Sequence, residues 1–356
     1  MSALARVAVP VELSARVPVE VRSPGLGRDG VRLLVSRGPE ATHHFFTDLP
    51  RLLGAGDLLV VNTSRTLPAA VDGRIGHARV VVHFSTLGDD GRWAVELRQP
   101  DGSGTTRARA GGPAGTRVSL PGGGLLTLEE ALEAPGTRGG RLWWSAVSLP
   151  GGVGVPALLK EFGRPIRYAY TERDQPLSAY QTVFALDSAD GTGSAEMPSA
   201  ARPFTERVVA DLVRRGVQFA PLSLHTGVAS AEAHEAPYPE RFQVPAASAR
   251  LVNAARAAGG RIIAVGTTAV RAIESATGPD GVVRASAGFT DLVVTPERGV
   301  RAVDGLLTGL HEPEASHLRM LEAVAGRAAV ERGYDEAVSR LYLWHEFGDV
   351  HLLLPQ

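Results

Sequence analysis

The sequence predicts an α/β protein in which a mainly parallel sheet is flanked by helices and carries an inserted small antiparallel β-barrel domain. Helices and strands alternate from residue 153 onward, as they do when helices pack on a sheet. Before that point lie short strands separated by Gly- and Pro-rich turns, which are typical of barrels. We therefore expect an α/β domain of residues 1–66 plus 151–356 and a β-barrel domain of residues 67–150.

Two short β-branched runs precede the barrel, at residues 31–35 and 57–61. The second run is continuously apolar from residue 58 to residue 61, which is the pattern of a strand covered on both faces. We therefore expect a fully buried strand at this position.

The barrel segment contains short runs of strand-forming residues at an even spacing. The predicted strands cover residues 80–84, 93–97, 117–120 and 141–144. Turns between them cover residues 111–113 and 121–124. A helix is expected to interrupt the strands at residues 128–133.

After the barrel, helical and strand patterns alternate. The predicted helices cover residues 206–215, 246–258 and 315–329. The predicted strands cover residues 219–224 and 261–265. Gly259 and Gly260 end the second helix, because glycine readily takes the left-handed conformation that terminates helices.

The composition excludes several classes of protein. The chain has 356 residues and a formal net charge of −1, so RNA binding would need a local basic patch. It has no cysteine, which excludes disulfides, thiolate catalysis and iron–sulfur clusters. No apolar run is long enough to span a bilayer and the N-terminus lacks a signal-peptide core, so we expect a cytoplasmic protein without a membrane partner.

No metal site is expected from the sequence. His-Glu pairs begin at His234, His311 and His345, but none has a second histidine four residues after the first, as helical zinc proteases require. The cluster from residue 345 to residue 351 lies beside a predicted C-terminal strand and is interpreted as structural. No feature of the sequence sets an oligomeric state.

Four apolar segments end in polar residues that are candidates for ligand binding. Ligands of open α/β sheets bind beyond the carboxyl ends of the strands, where loops and helix N-termini converge. The candidates at these four ends are Asn62, Ser64 and Arg65; His225; Thr267, Thr268 and Arg271; and Thr308 and His311. We expect the ends that carry Arg65, His225, Thr267 and His311 to converge around one cleft.

Each candidate also has a plain structural interpretation. Asn62 and Ser64 suit a carboxylate or a ribose, but they equally suit the backbone of a turn. Thr267 and Thr268 begin a helix whose N-terminus favours anions, but either threonine could simply cap that helix. A histidine at a strand end, such as His225, is more often structural than catalytic.

Together these segments resemble the S-adenosylmethionine:tRNA ribosyltransferase-isomerase family of queuosine biosynthesis. The resembling stretches are residues 56–69, 180–184, 224–225, 262–275, 303–313 and 347–349. The run from Val265 to Arg271, Val-Gly-Thr-Thr-Ala-Val-Arg, is the most specific of them.

The resemblance implies an enzyme that uses S-adenosylmethionine as a ribosyl donor and co-substrate. Its family moves the ribosyl unit onto 7-aminomethyl-7-deazaguanine in tRNA, giving epoxyqueuosine and releasing adenine and methionine. The implied proton-transfer residues are His225, Glu240 and His311. The implied substrate-binding residues are Asn62, Ser64, Arg65, Ser199, Thr267, Thr268, Arg271 and Thr308. The implied fold is an α/β domain with an inserted β-barrel.

The sequence departs from the family pattern at several motif positions. Pro203 replaces a histidine, Ala201 replaces a glycine, and Glu196 stands where the family usually has alanine. Tyr238 replaces a second histidine while Glu240 keeps the acid of the same segment. Two alternatives therefore stay open, namely a divergent paralogue with a small-molecule acceptor and a non-catalytic protein that binds S-adenosylmethionine or a nucleoside.

Overall fold

The computed structural model describes residues 9–102, 104–132, 140–228, 238–312 and 317–355, which contain sixteen strands and eight α-helices. The strands are β1 (Arg32–Arg37), β2 (Glu40–Phe45), β3 (Leu58–Asn62), β4 (Ala70–Ile75), β5 (Ala78–Leu87), β6 (Trp93–Pro100), β7 (Thr106–Ala108), β8 (Arg117–Ser119), β9 (Leu125–Leu132), β10 (Leu142–Ser148), β11 (Gln218–Leu224), β12 (Glu240–Val244), β13 (Ile262–Val265), β14 (Ser286–Thr290), β15 (Gly305–Gly309) and β16 (Val350–Leu354). The helices are α1 (Val19–Arg22), α2 (Leu49–Leu52), α3 (Val155–Phe162), α4 (Glu206–Arg214), α5 (Ala246–Ala257), α6 (Thr267–Ser275), α7 (His317–Ala325) and α8 (Arg327–Ser339).

The larger sheet has nine strands in the order β14-β12-β11-β3-β13-β15-β16-β1-β2. It is mixed, so the expectation of a mainly parallel sheet is wrong. Parallel pairs join β11, β3, β13 and β15 in turn and join β16 to β1. The pairs β14–β12, β12–β11, β15–β16 and β1–β2 are antiparallel. Only two residues join β1 to β2, and so short a connection permits only an antiparallel pair.

Strand β3 is buried along its whole length, as its apolar run predicts. Alternate side chains of a strand point to opposite faces of the sheet. Accordingly Leu58 and Val60 join a hydrophobic cluster with α5, α6 and α8, whereas Leu59 and Val61 join a second cluster with α2 and α4. The sheet therefore has a hydrophobic core on each face.

The second sheet is a closed six-stranded antiparallel barrel. Its order is β10-β9-β8-β4-β5-β6, β6 pairs again with β10, and β7 is added beside β6. The barrel strands lie within residues 70–148, while Val155, Leu158 and Leu159 of α3 pack on the barrel core. The domain boundaries at residues 66/67 and 150/151 stay a prediction.

Two predicted helices differ in the structure. Residues 128–132 belong to β9, not to a helix, because Leu126 and Leu128 both point into the barrel core and this two-residue period overrides local helix propensity. The predicted helix at residues 315–329 is instead the pair α7 and α8, separated at Gly326, whose φ of 80° breaks the helix. Residues 133, 315 and 316 lie outside the described residues.

Within the described ranges, no helix combines the length and the apolar character needed to cross a membrane.

Asp57 connects the start of β3 to the start of β13. Its carboxylate accepts hydrogen bonds from Arg261 Nε at 2.9 Å and from Gly54 N at 2.7 Å. Burial raises the pKa of Asp57, but the hydrogen bonds from Arg261 and Gly54 outweigh it and leave the pKa below its ordinary value. The stabilisation is therefore present at neutral pH and is lost as the pH falls through the pKa of the folded protein.

We expect Asp57→Asn to lower the free energy of unfolding at neutral pH by about 1.5–3 kcal/mol, the usual contribution of hydrogen bonds to a charged group. Urea unfolding followed by circular dichroism measures this difference, which should shrink at acid pH. The control is Asp280→Asn, since Asp280 pairs with Arg284 on the surface and its loss should leave the unfolding midpoint unchanged. Equal midpoints for the two variants would contradict the assignment.

Candidate functional site

A cleft of about 210 Å³ lies beyond the carboxyl ends of β13 and β15. The two strands are parallel neighbours, so the residues that follow them reach the same edge of the sheet. Seven of the eleven predicted site residues line this cleft, namely Ser199, Glu240, Thr267, Thr268, Arg271, Thr308 and His311. Most of the predicted site is therefore brought together by the fold.

A tight turn at Gly266 delivers the start of α6 to the cleft. Gly266 has a φ of 90°, which glycine adopts without strain, and its N–H donates to Leu307 O of β15 at 2.8 Å. Gly266 is also the N-cap, and no side chain caps the helix, so the alternative in which Thr267 or Thr268 caps it is not met. The hydroxyl groups of Thr267 and Thr268 are consequently not used as helix caps, and the helix N-terminus favours an anion or a hydroxyl-rich ligand.

Arg271 lies one turn further along α6 and forms a buried ion pair with Glu240, the first residue of β12. The guanidinium also donates to the carbonyl oxygens of Thr290 at 3.0 Å and Leu292 at 3.1 Å. Glu240 in turn accepts the Gly227 N–H at 2.9 Å. Because all these partners are fixed, the Arg271 side chain is held in one position at the wall of the cleft.

His311 lies at the cleft two residues after the end of β15. Its Nε2 lies 2.8 Å from Thr308 Oγ1, and its ring stacks on the His317 ring with the centroids 4.8 Å apart. Burial, with smaller contributions from the charges of His317 and His345, lowers the pKa of His311 well below its ordinary value. The imidazole is therefore uncharged at neutral pH, so one ring nitrogen donates a hydrogen bond and the other accepts one.

An acidic part of the cleft was not predicted from the sequence. Glu196 and Glu346 both line it, and Tyr168 Oη donates to Glu196 Oε2 at 3.3 Å. Among the described residues, the buried Glu346 Oε2 atom has no hydrogen-bond partner. Burial raises the pKa of Glu346 to about 7. Glu346 belongs to the cluster interpreted as structural, and no spacing signal connects it with Glu196 or with His317.

Asn62, Ser64 and His225 form a hydrogen-bonded layer that is not part of the cleft wall. Asn62 donates to Leu224 O at 2.9 Å and approaches Thr268 Oγ1 at 3.4 Å, while Ser64 Oγ lies 2.7 Å from His225 Nδ1. Burial lowers the pKa of His225, although the charge of Asp190 partly opposes this. The layer contacts the cleft from behind, because Thr268, the partner of Asn62, lines the cleft.

Arg65 does not face the cleft, so the expected convergence of all four strand ends is only partly met. Beyond β3 the extended chain forms isolated bridges at Ser64 and Thr66, and both of these side chains are buried. Arg65 between them points outward and pairs with the exposed Asp187. The assignment of Arg65 and His225 as functional residues stays a prediction.

Comparison with known proteins then identifies the family. The sequence profile of the family described as "Queuosine biosynthesis protein" matches residues 6–353. The chain belongs to this family. This membership confirms the resemblance found in the sequence.

Relatives in this family align over nearly the whole chain. A protein of Acidiphilium cryptum named S-adenosylmethionine:tRNA ribosyltransferase-isomerase is 35% identical over 347 residues, covering 93% of this chain and 94% of its own. A protein of the same name from an Anaeromyxobacter species is 36% identical, covering 97% of this chain and 96% of its own. The crystal structure of S-adenosylmethionine tRNA ribosyltransferase from Thermotoga maritima matches with a TM-score of 0.52 and a sequence identity of 26%. The match covers 98% of this chain and 99% of the Thermotoga maritima chain.

The two positions where this queuosine-family chain lacks histidines lie in different environments. Pro203 is buried and is not among the described residues that line the cleft. Tyr238 does line it, close in sequence to Glu240. His234 and Pro313 lie outside the described residues. In the described part of the chain, no three His, Asp or Glu side chains are grouped so that they could hold a metal ion.

The raised pKa of Glu346 predicts a dependence of stability on pH. Between its ordinary pKa of 4.5 and its folded value of about 7, the folded protein keeps a proton that the unfolded chain has released. The contribution of Glu346 to the free energy of unfolding therefore falls as the pH rises through this window. We expect Glu346→Gln to remove this fall and to be more stable than the parent protein at about pH 8.

Urea unfolding at about pH 5 and about pH 8 measures this effect. The exposed Glu297→Gln should show the same pH dependence as the parent protein, because the Glu297 side chain is 72% exposed. Parallel pH profiles for the parent protein and Glu346→Gln would refute the assignment.

Proposed function

We propose that this protein transfers the ribosyl unit of S-adenosylmethionine to 7-aminomethyl-7-deazaguanine in tRNA, giving epoxyqueuosine and releasing adenine and methionine. The observation that carries the proposal is the family match across residues 6–353. Relatives named for this reaction align over 93–97% of the chain, so the proposal does not depend on one shared segment. The cleft supports it by joining groups that this chemistry needs.

The charges of the cleft match those of S-adenosylmethionine. This co-substrate carries a carboxylate together with a sulfonium and an ammonium. We assign the carboxylate to the N-terminus of α6, where backbone N–H groups are available, beside the guanidinium of Arg271 that Glu240 already pairs with. We assign the cationic groups to the part of the cleft that holds Glu196 and Glu346. A cation close to Glu346 would favour its ionised form despite burial.

The hydroxyl-bearing residues of the cleft suit the sugar. We assign Ser199, Thr267, Thr268 and Thr308 to the ribose hydroxyls, because short side chains on a helix start and a strand end are held rigidly. Asn62 and Ser64 support this region through Thr268 and His225.

The reaction needs a base, since the sulfonium acidifies the adjacent 5′ C–H, and it needs a proton donor for the departing adenine. We propose His311 as the proton-transfer group. Its uncharged ring lines the cleft, and Thr308 fixes its orientation. Glu240 is bound to Arg271 and Gly227, so we infer that its main contribution is to hold Arg271.

The direct test is incubation of the pure protein with S-adenosylmethionine and tRNA that carries 7-aminomethyl-7-deazaguanine. We expect adenine and methionine to appear in equal amounts, and epoxyqueuosine to appear in the nucleosides of the digested tRNA by mass spectrometry. Release of adenine with a small amine but not with tRNA would instead identify a paralogue with another acceptor. Tight binding of S-adenosylmethionine without turnover would identify a non-catalytic protein.

His311→Gln should lower kcat by about 100- to 10,000-fold, the usual contribution of a general acid–base group. The affinity for S-adenosylmethionine, measured by calorimetry, should change little, because glutamine keeps a polar side chain beside Thr308. The control is His44→Ala, since His44 is half-buried on β2, does not line the cleft, and forms its ring hydrogen bond with Thr42. A kcat for His311→Gln within a few-fold of the parent value would exclude the assignment.

A further inference from the structure

A second cavity adjoins the cleft at the junction of the barrel and the mixed sheet. It has a volume of about 310 Å³, and we call it the aromatic compartment because Trp144, Tyr238 and Phe289 line it. Trp144 comes from barrel strand β10, whereas Phe289 comes from β14 of the mixed sheet. The compartment therefore has one aromatic wall from each sheet.

Each of these two walls carries a guanidinium group. The Arg92 Cζ atom lies 5.5 Å from the centre of the Trp144 ring, and the Arg241 Cζ atom lies 5.0 Å from the centre of the Phe289 ring. Arg92 also pairs with Asp90, and Arg241 pairs with Asp89. Both aspartates lie between β5 and β6 and line the compartment together with Arg92, while Arg241 adjoins it through Phe289 and Asp89.

The compartment and the cleft are neighbours, since Thr86 and Tyr238 line both. A reaction between two substrates requires their reacting atoms to meet, so a co-substrate in the cleft needs an acceptor that arrives through an adjoining space. The shared wall at Thr86 and Tyr238 is such a meeting point. Another cavity on the barrel, lined by Asp72, Arg74 and Arg79, shares no lining residue with the cleft and so offers no such meeting point.

We propose that the aromatic compartment binds the acceptor base, a 7-deazaguanine lifted out of the stacked anticodon loop, against Trp144 and Phe289. Proteins that act on a base in RNA take it out of the stack and hold it on aromatic side chains. A guanine-type base presents N–H donors along its Watson–Crick edge, which the carboxylates of Asp89 and Asp90 can accept. The guanidinium groups of Arg92 and Arg241 are partly exposed, so they can contact the flanking phosphates in exchange for their present carboxylate partners.

This inference rests on the proposed function, and its test separates the two. Trp144→Ala and Phe289→Ala should each weaken tRNA binding and raise the KM for tRNA by about 5- to 150-fold, the loss expected for one base–aromatic stack. Calorimetry should find the affinity for S-adenosylmethionine unchanged. Trp144→Phe, which keeps a stacking ring, should recover most of the affinity for tRNA. Phe45→Ala is the control, since Phe45 is 58% exposed on β2.

The free base 7-aminomethyl-7-deazaguanine is the second probe, because its binding needs no turnover. Binding to the parent protein and not to Trp144→Ala would support the inference even if no ribosyl transfer occurred. Weakened binding of S-adenosylmethionine in either alanine variant would overturn it, since the compartment would then hold adenine. An unchanged KM for tRNA and unchanged binding of the free base in both folded variants would overturn it as well.

Discussion

The buried ion pair between Arg271 and Glu240 holds together four segments that form the cleft. It joins α6 to the start of β12, and its remaining hydrogen-bonding groups reach Gly227, Thr290 and Leu292. Removing two charges from water is costly, and such a pair is tolerated only when further hydrogen bonds satisfy both partners. Here those hydrogen bonds come from the backbone of the segments that form the cleft. The same contacts therefore fix both the position of Arg271 and the shape of the cleft.

The inserted barrel takes part in the same arrangement. Ser85 Oγ of β5 accepts a hydrogen bond from the Val228 N–H at 3.1 Å. A Cβ atom added to Gly227 would lie only 2.6 Å from the same oxygen, so the two segments approach too closely for a larger residue. This close approach connects the barrel to the segment that donates to Glu240. The neighbouring Thr86 then lines both cavities. The two sheets together therefore surround the region in which we propose that ribosyl donor and acceptor meet.

Short-range patterns in the sequence indicated several residues that line the cleft. The apolar run before Asn62 forms β3, and the Gly-Thr-Thr turn follows β13, because strand burial and tight turns depend on adjacent residues. Arg271 faces the same opening as Thr267 and Thr268, as the spacing of one helical turn requires. Arg65 was placed wrongly relative to the cleft because the chain stays extended beyond β3, and its direction depends on a partner segment more than 120 residues away.

The sequence by itself determined the family, four of the six barrel strands and the residues at the strand ends, since these are carried by motifs and by hydrophobic periods within a few residues. Only the tertiary structure decided that the sheet is mixed, that residues 125–132 form a strand, and that Glu196, Glu346 and His317 join the cleft. Those features depend on which distant segments pair or pack together. Burial then determines how the cleft residues ionise, because the transfer of a carboxyl group or an imidazole away from water disfavours its charged form.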